Sequence, residues 1–392
     1  MKEAVFVSAA RTPVGKYRGS LKSVRIQDLA AHTMKAAVER ANIDSGALDL
    51  SIYSQSMQSS LPANVGRHAW TLAGLSEDPG GYTLNTLCAG ALQTMISAYN
   101  KIFGGDYQGI LVGGVESYSM TQYYIFHPRY EFGSGNLCFR DQKIEVETRA
   151  QPPELYGEIS TANMAERIAL KYGISREALD AFTIRDHEKA LAAESAGEGI
   201  EPYIVKTRKK EIPVESDDFP RTVTPERMAA SLPCSEGGVV TDAQIAPWAD
   251  GAASLVMLSR ERAKELGAEP MAIMRGFSIS AGNPMTPEQT TVRSIRSACD
   301  RCGITPEEID YYDIHTPSAA YGLAVQELLG PVLSEKINAN GSSLATGHPG
   351  AATGGIMTIN MLYRLRNNAA RYGLVNVGAL GGQSLSIIIE RC

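Results

Sequence analysis

Two distant stretches of this chain carry one frame. Residues Ala37 to Ser54, AVERANIDSGALDLSIYS, align without gaps on Ala298 to His315, ACDRCGITPEEIDYYDIH, and both read A-x-x-R-x-x-I-x-x-x-x-[LI]-D. Each copy predicts a helix end, a capped turn and an acidic lead into a strand. A second correspondence sets Gly109 to Gly114, GILVGG, against Gly373 to Gly378, GLVNVG, each after a long helix. Two matches at nearly the same offset, on the same kind of element, point to a duplicated β/α unit whose period is far too long for a solenoid. Apolar strands alternating with amphipathic helices in each copy predict an α/β sandwich with mostly buried strands. Between the copies the composition changes, with an aromatic-rich run, YYIFHPRYEF from Tyr123 to Phe132, then helical sequence, then a charged stretch with prolines. The expected organisation is an N-terminal half over residues 1–117 with part of 118–255, a loop domain at about 118–250 laid over the sandwich, and a C-terminal half over 256–392.

The 392 residues are 44% hydrophobic and 20% charged, which supports one large core or several coupled ones and excludes a disordered or fibrous chain. The net charge of -6 is interspersed and offers no nucleic-acid surface and no basic membrane patch, so a small-molecule partner is expected. The strand-like run Ala4 to Ala10 begins close to Met1, no stretch approaches the length of a membrane span, and a cytoplasmic location follows as the expectation. Six scattered cysteines make no disulfide framework. Cys299 and Cys302 form a CxxC by letter only. Val292, Ile295 and both thiols recur at helical spacing, which turns them to a core, so neither metal nor redox chemistry is expected of them.

Three segments carry chemistry. The strand Tyr82 to Asn85 runs through Thr86, Leu87, Cys88, Ala89 and Gly90 into a helix whose apolar face is marked by Leu92, Met95, Ile96, Tyr99 and Phe103. Cys88 at that strand-to-helix turn meets free amides and a helix dipole that favour the thiolate; the plainer alternative is a cysteine packed beneath the turn. Further on, His348 stands between Gly347 and Pro349 on a rigid loop, placed as a base or hydrogen-bond donor, or else as a cap of the next helix. Last, Gly378 to Gly382 separates two strands, and its amides suit an oxyanion or simply turn a hairpin.

Together these segments resemble the thiolases. The likeness spans nearly the whole chain: SAARTPVGKYRGSL from Ser8, NTLCAGAL around Cys88, YGEISTANMAERIA from Tyr156, ADGAASLVMLS from Ala249 and ATGHPGAATGG around His348. The resemblance implies two βαβαβαββ halves in a five-layer α-β-α-β-α sandwich with an inserted loop domain. It implies that Cys88 is the acylated nucleophile, that His348 activates it, and that the amides of Cys88 and Leu380 form an oxyanion hole. Arg221 sits where thiolases contact the adenine nucleotide of CoA, and Ala246 and Gly347 lie in the stretches that line the CoA thioester. Lys206, Arg208, Lys209 and Lys210 upstream of Arg221 read as a solvated hairpin face.

The chain departs from the family pattern at three places. Thiolases carry a second catalytic cysteine where this chain has Gly378. Their N-E-A-F reads His315-Thr316-Pro317-Ser318 here, and a histidine at that point resembles the sterol-carrier-protein branch, whose rescuing cysteine is replaced by Pro317. The acyl-binding T-A-G-N-A-S-G reads Thr241 to Pro247, TDAQIAP. The acyl-transfer half of the mechanism is therefore complete, and the carbon-carbon half lacks its usual acid and base. His315 is the first candidate to replace it and His127 the second; His32, His68 and His187 lie outside the motifs and read as structural.

The leading expectation is an acyl-CoA C-acyltransferase working by ping-pong transfer through acyl-Cys88. The alternatives are transfer to a non-carbon acceptor and a CoA-binding subunit with little or no Claisen activity. A homodimer or homotetramer is expected by resemblance, with room for a small accessory subunit, and no metal or redox cofactor is implied.

Overall fold

Strands that are apolar on both faces can only be satisfied by layers on both sides of a sheet. Three such strands, β1 (Ala4–Arg11), β4 (Gly109–Ser117) and β5 (Ala249–Ser259), are buried along their whole length. They stand at the middle of a ten-stranded sheet with β2 (Leu50–Ser54), β3 (Gly80–Leu84), β6 (Ala272–Ala281), β7 (Tyr311–Ile314), β8 (Tyr372–Ala379), β9 (Gln383–Arg391) and a two-residue strand on β5. The strand order is β7-β8-β9-β6-β1-β5-β4-β2-β3. The computed structural model describes residues 3–126, 136–193 and 197–392.

The duplication is visible in this order. Outward from the centre, β1 pairs antiparallel with β5, β5 antiparallel with β4, and β4 parallel with β2, which pairs parallel with β3. On the other side β6 pairs antiparallel with β9, β9 antiparallel with β8, and β8 parallel with β7. The counterpart of β3 is reduced to a parallel bridge from Tyr312 to Ile337. The halves join where β1 meets β6, with Ala4, Val5 and Phe6 opposite Met274, Ile273 and Ala272.

Helices fill the layers. The repeated frame forms α1 (Ile26–Ala41) before β2 and α4 (Pro287–Cys302) before β7, ended by left-handed Asn42 and Gly303. These cover the outer faces of the two halves. Between the halves lie α2 (Gly90–Gly104) and α6 (Thr353–Asn367), packed on each other and on strands of both. Three apolar clusters result, one central and one outer on each side, in the expected helix-sheet-helix-sheet-helix layering. Cys299 is buried and Cys302 half-buried against one outer cluster, as the helical spacing predicts. Phe103 departs from the predicted apolar face of α2: it is exposed and stacks on Tyr99 at 5.4 Å.

The described residues between β4 and β5 contribute no strand to this sheet. They form short hairpins and helices, including α3 (Arg176–Leu191), and α5 (Ala319–Leu329) of the second half packs beside α3. Lys206 lies in one hairpin, 3.6 Å from Glu211 and mostly in solvent, with Arg208, Lys209 and Lys210 exposed at its turn. No helix among the described residues is long and apolar enough to cross a membrane.

Candidate active site

The Cys88 turn and the His348 turn belong to opposite halves, and side-chain size brings them together. A Cβ on Gly90 would overlap Ser54 Oγ and stand 3.3 Å from the Ala351 methyl, and a Cβ on Gly114 would overlap the Ala351 carbonyl. Glycine at both positions lets the helical turn Gly350–Ala352 settle onto β4 beside the Cys88 turn. The Cys88 turn itself is strained: Leu87, just before Cys88, has a φ of 52°, held by an Asn85 side chain that accepts the Leu87 amide at 2.9 Å.

Cys88 Sγ lies 3.1 Å from His348 Nε2, and His348 Nδ1 lies 2.7 Å from Thr353 Oγ1 at the start of α6. When Nδ1 donates to Thr353, Nε2 presents its lone pair to the thiol. His315 stacks on His348 with ring centroids 4.3 Å apart and planes 28° from parallel. Its Nδ1 is held by Ser343 Oγ at 2.7 Å, so Nε2 is the free ring nitrogen. Asn338 bonds the backbone of Ile314 in both directions and fixes the end of β7 from which His315 projects. The Cys88, His315 and His348 ligand-type atoms lie within 4.8 Å of one another, a grouping that also suits a soft metal ion.

Burial sets the protonation states. It pushes the Cys88 thiol up to about 12, with Glu116 adding to the effect and the cysteine's own amide opposing it. Burial pulls His348 down to about 4 and His315 well below its ordinary range, the latter helped by His348. The resting pair is therefore thiol and neutral imidazole. The thiolate expected from the helix end is a correction: desolvation outweighs the dipole in so closed a place. Two imidazolium rings at this 4.3 Å spacing would repel by about 4 kcal/mol at an effective dielectric of 20, so only one of them carries a proton at a time.

These groups line a cavity of about 540 Å³. Ala246 and Pro247 tie its wall together, since the Ala246 amide donates to Pro317 and the His348 amide to Pro247, at 3.0 and 2.9 Å. Gly347 has a φ of 87°, and a Cβ there would meet the Phe219 ring at 2.7 Å. Arg221 and Leu380 also line the cavity. The segment leading to Arg221 is anchored by the buried Arg11, 2.8 Å from Asp217. All the proposed site residues thus border one space except Gly347, which packs behind it. His127 lies outside the described residues.

Several lining residues escaped the sequence reading. His187, read as structural, borders the cavity from α3 and is pulled down to about 4 by burial and by Arg221. Trp248 stacks on Tyr118 at 5.7 Å, and Lys143 sits 4.9 Å over the Trp248 ring while paired with Asp141 at 2.5 Å. Tyr321 reaches the cavity from α5. Their local sequences carry no signal, because each is an ordinary helix or loop residue until the inserted segment folds over the sandwich.

A cysteine 3.1 Å from an imidazole on the wall of a cavity, on this layered fold, is the arrangement that covalent acyl transfer requires. The chain belongs to the thiolase family: the thiolase N-terminal domain model matches residues 4–261 and the C-terminal domain model residues 268–391. It is 32% identical to the acetyl-CoA acetyltransferase of Cupriavidus necator and 35% identical to the beta-ketoadipyl-CoA thiolase of Pseudomonas aeruginosa, each over 100% of both chains. The crystal structure of the Bacillus anthracis acetyl-CoA acetyltransferase superposes with a TM-score of 0.95 at 30% identity, covering 100% of this chain and 99% of that one.

Proposed function

We propose that this protein is a thiolase-type acyl-CoA C-acyltransferase in which Cys88 carries the acyl group between a β-ketoacyl-CoA and CoA or a carbon nucleophile. The observation that carries this reading is the 3.1 Å approach of Cys88 Sγ to His348 Nε2 inside the cavity. His348 takes the thiol proton as sulfur attacks the thioester or ketone, so a neutral pair reacts without a standing thiolate. With Ser343 Oγ donating to its Nδ1, His315 carries its proton on Nε2, and that N–H and the Cys88 and Leu380 amides serve the developing oxyanion. Arg221 at the cavity wall supplies a cation for the nucleotide end of CoA, with Ala246 shaping the channel between and Gly347 supporting its wall from behind.

Leu137, Phe139, Ile144 and Leu155 stand exposed on the inserted segment, apolar surface that a second subunit of a homodimer or homotetramer would cover. A small accessory subunit would dock there equally. The protein would work in the cytoplasm on CoA thioesters without a resident cofactor.

Intact-protein mass spectrometry after incubation with acyl-CoA and β-ketoacyl-CoA thioesters tests the reading, with Cys88→Ala as control. An acyl adduct that requires Cys88 is expected. No adduct with any thioester would refute it. Product analysis then separates carbon transfer from transfer to oxygen or nitrogen, the alternative that the glycine at 378 leaves open.

A further inference from the structure

Gly378 borders the cavity, and the side chain it lacks would meet a phenol. A Cβ built there lies 2.7 Å from Tyr321 Oη and 3.3 Å from Thr291 Oγ1. Tyr321 is buried on α5 and borders the same cavity as Cys88, while the Cys88 turn packs against β8, the strand that holds Gly378. The phenol hydroxyl thus stands where a residue at 378 would have reached the reacting carbon.

A chain of hydrogen bonds stands behind it. Tyr321 Oη is 2.5 Å from Thr291 Oγ1, Thr291 Oγ1 is 3.1 Å from Ser384 Oγ, and Asn376 Nδ2 donates to Ser384 Oγ at 2.9 Å. Asn376 Nδ2 also faces the Leu385 carbonyl at 3.1 Å, which fixes the orientation of the amide, and Ser386 Oγ at 2.8 Å. An amide nitrogen only donates and each hydroxyl has one proton. In the arrangement where Asn376 donates to Ser384, Ser384 gives its proton to Thr291 and Thr291 gives its own to Tyr321. In that arrangement the Tyr321 proton has no acceptor among these side chains and faces the cavity.

From this placement we propose that the Tyr321 hydroxyl is the acid and base at the α-carbon of the thioester. The inference rests on the carbon-carbon transfer reading above. In cleavage, Cys88 gives its proton to His348 and attacks the β-carbonyl, the carbon-carbon bond breaks, and the departing enolate takes the Tyr321 proton at its α-carbon. The phenolate is held by the Thr291 hydroxyl. Incoming CoA gives its thiol proton to the phenolate and its sulfur attacks acyl-Cys88, and His348 returns its proton to the released Cys88 sulfur. Synthesis runs the same steps backwards. His315 suits the task less, because it would have to carry charge against a His348 that is already protonated. Burial raises the phenol above its ordinary value, so it holds its proton at neutral pH until the enolate forms.

The test uses the full chain with acetyl-CoA in D2O, reading α-deuterium in the thioester and acyl adduct on Cys88 by mass spectrometry. Tyr321→Phe is expected to lower the ratio of exchange rate to acylation rate by about 10²- to 10⁴-fold. Thr291→Val, which keeps the phenol and removes the donor to its oxygen, is expected to lower the same ratio by about 10- to 100-fold. A merely structural role would depress both rates together, which overturns the proposal. An unchanged ratio in Tyr321→Phe also overturns it, as does loss of exchange in His315→Gln alone. Wild-type protein that acylates but exchanges nothing refutes the role of Tyr321 and leaves acyl transfer standing. Wild-type protein that forms no adduct removes the acyl-transfer reading and this inference with it.

Discussion

Replacing His348 by asparagine keeps an amide near Thr353 Oγ1 and removes the nitrogen that stands 3.1 Å from Cys88 Sγ. In the native pair the histidine titrates at about 4 and the thiol at about 12, so both are neutral throughout the interval between. Acylation by proton transfer to His348 is then independent of pH across that interval. The variant must wait for thiolate formed without help, which at a thiol value of about 12 is roughly one molecule in 10⁵ at pH 7. Its acylation rate should rise tenfold with each unit of pH, while the native rate stays level. Loss of a positioned base typically costs about 10²- to 10⁴-fold at neutral pH, and this gap should close tenfold per unit on the alkaline side. Rapid-quench acylation followed by intact mass, between roughly pH 6 and 9, measures both profiles. Level profiles in both proteins would refute the reasoning. So would alkylation of native Cys88 by iodoacetamide that reaches a plateau near neutrality, because that would reveal a standing thiolate-imidazolium pair.

Arg364 on α6 and Asp313 on β7 form a buried ion pair at 2.7 Å that ties the helix behind His348 to the strand before His315. Asp313→Ala strands the guanidinium and should cost about 3–5 kcal/mol, read as a lower denaturant midpoint; a change below about 1 kcal/mol would contradict it. Arg221→Ala should raise the KM for CoA about tenfold with little change in kcat, in steady-state thiolysis, and an equal fall in kcat would place Arg221 elsewhere. Zn²⁺ should inhibit by taking Cys88, His315 and His348 as ligands, with recovery on chelation, and the inhibition should vanish in His315→Gln; zinc-insensitive acylation would refute this.

The repeated frame was enough to announce two halves, because helix caps, turns and strand leads are local signals that each copy spells out in its own few residues. The Cys88 turn and the His348 loop were legible for the same reason, as a strand-to-helix junction and a glycine-proline loop. What stayed hidden was the state of those groups. The thiolate favoured by the helix end gives way to a neutral pair, since burial is a property of the assembled layers and leaves no mark on the residues beside Cys88.

The residues that complete the cavity were hidden more deeply. Tyr321 carries no local signal on its alanine-rich helix, and Gly378 reads as the start of a glycine turn and the place of a missing cysteine; that a phenol fills this place appears only where the two meet. His187 and Lys143 enter through the inserted segment, whose course over the sandwich has no periodic signal. Sequence alone determined the duplicated architecture and marked Cys88 and His348 as the candidate pair, because these rest on short-range pattern and residue chemistry. Tertiary structure decided which buried hydroxyls and rings face Cys88 and what charge each holds, because distance across the core and exclusion of water exist only once both halves have closed on the same space.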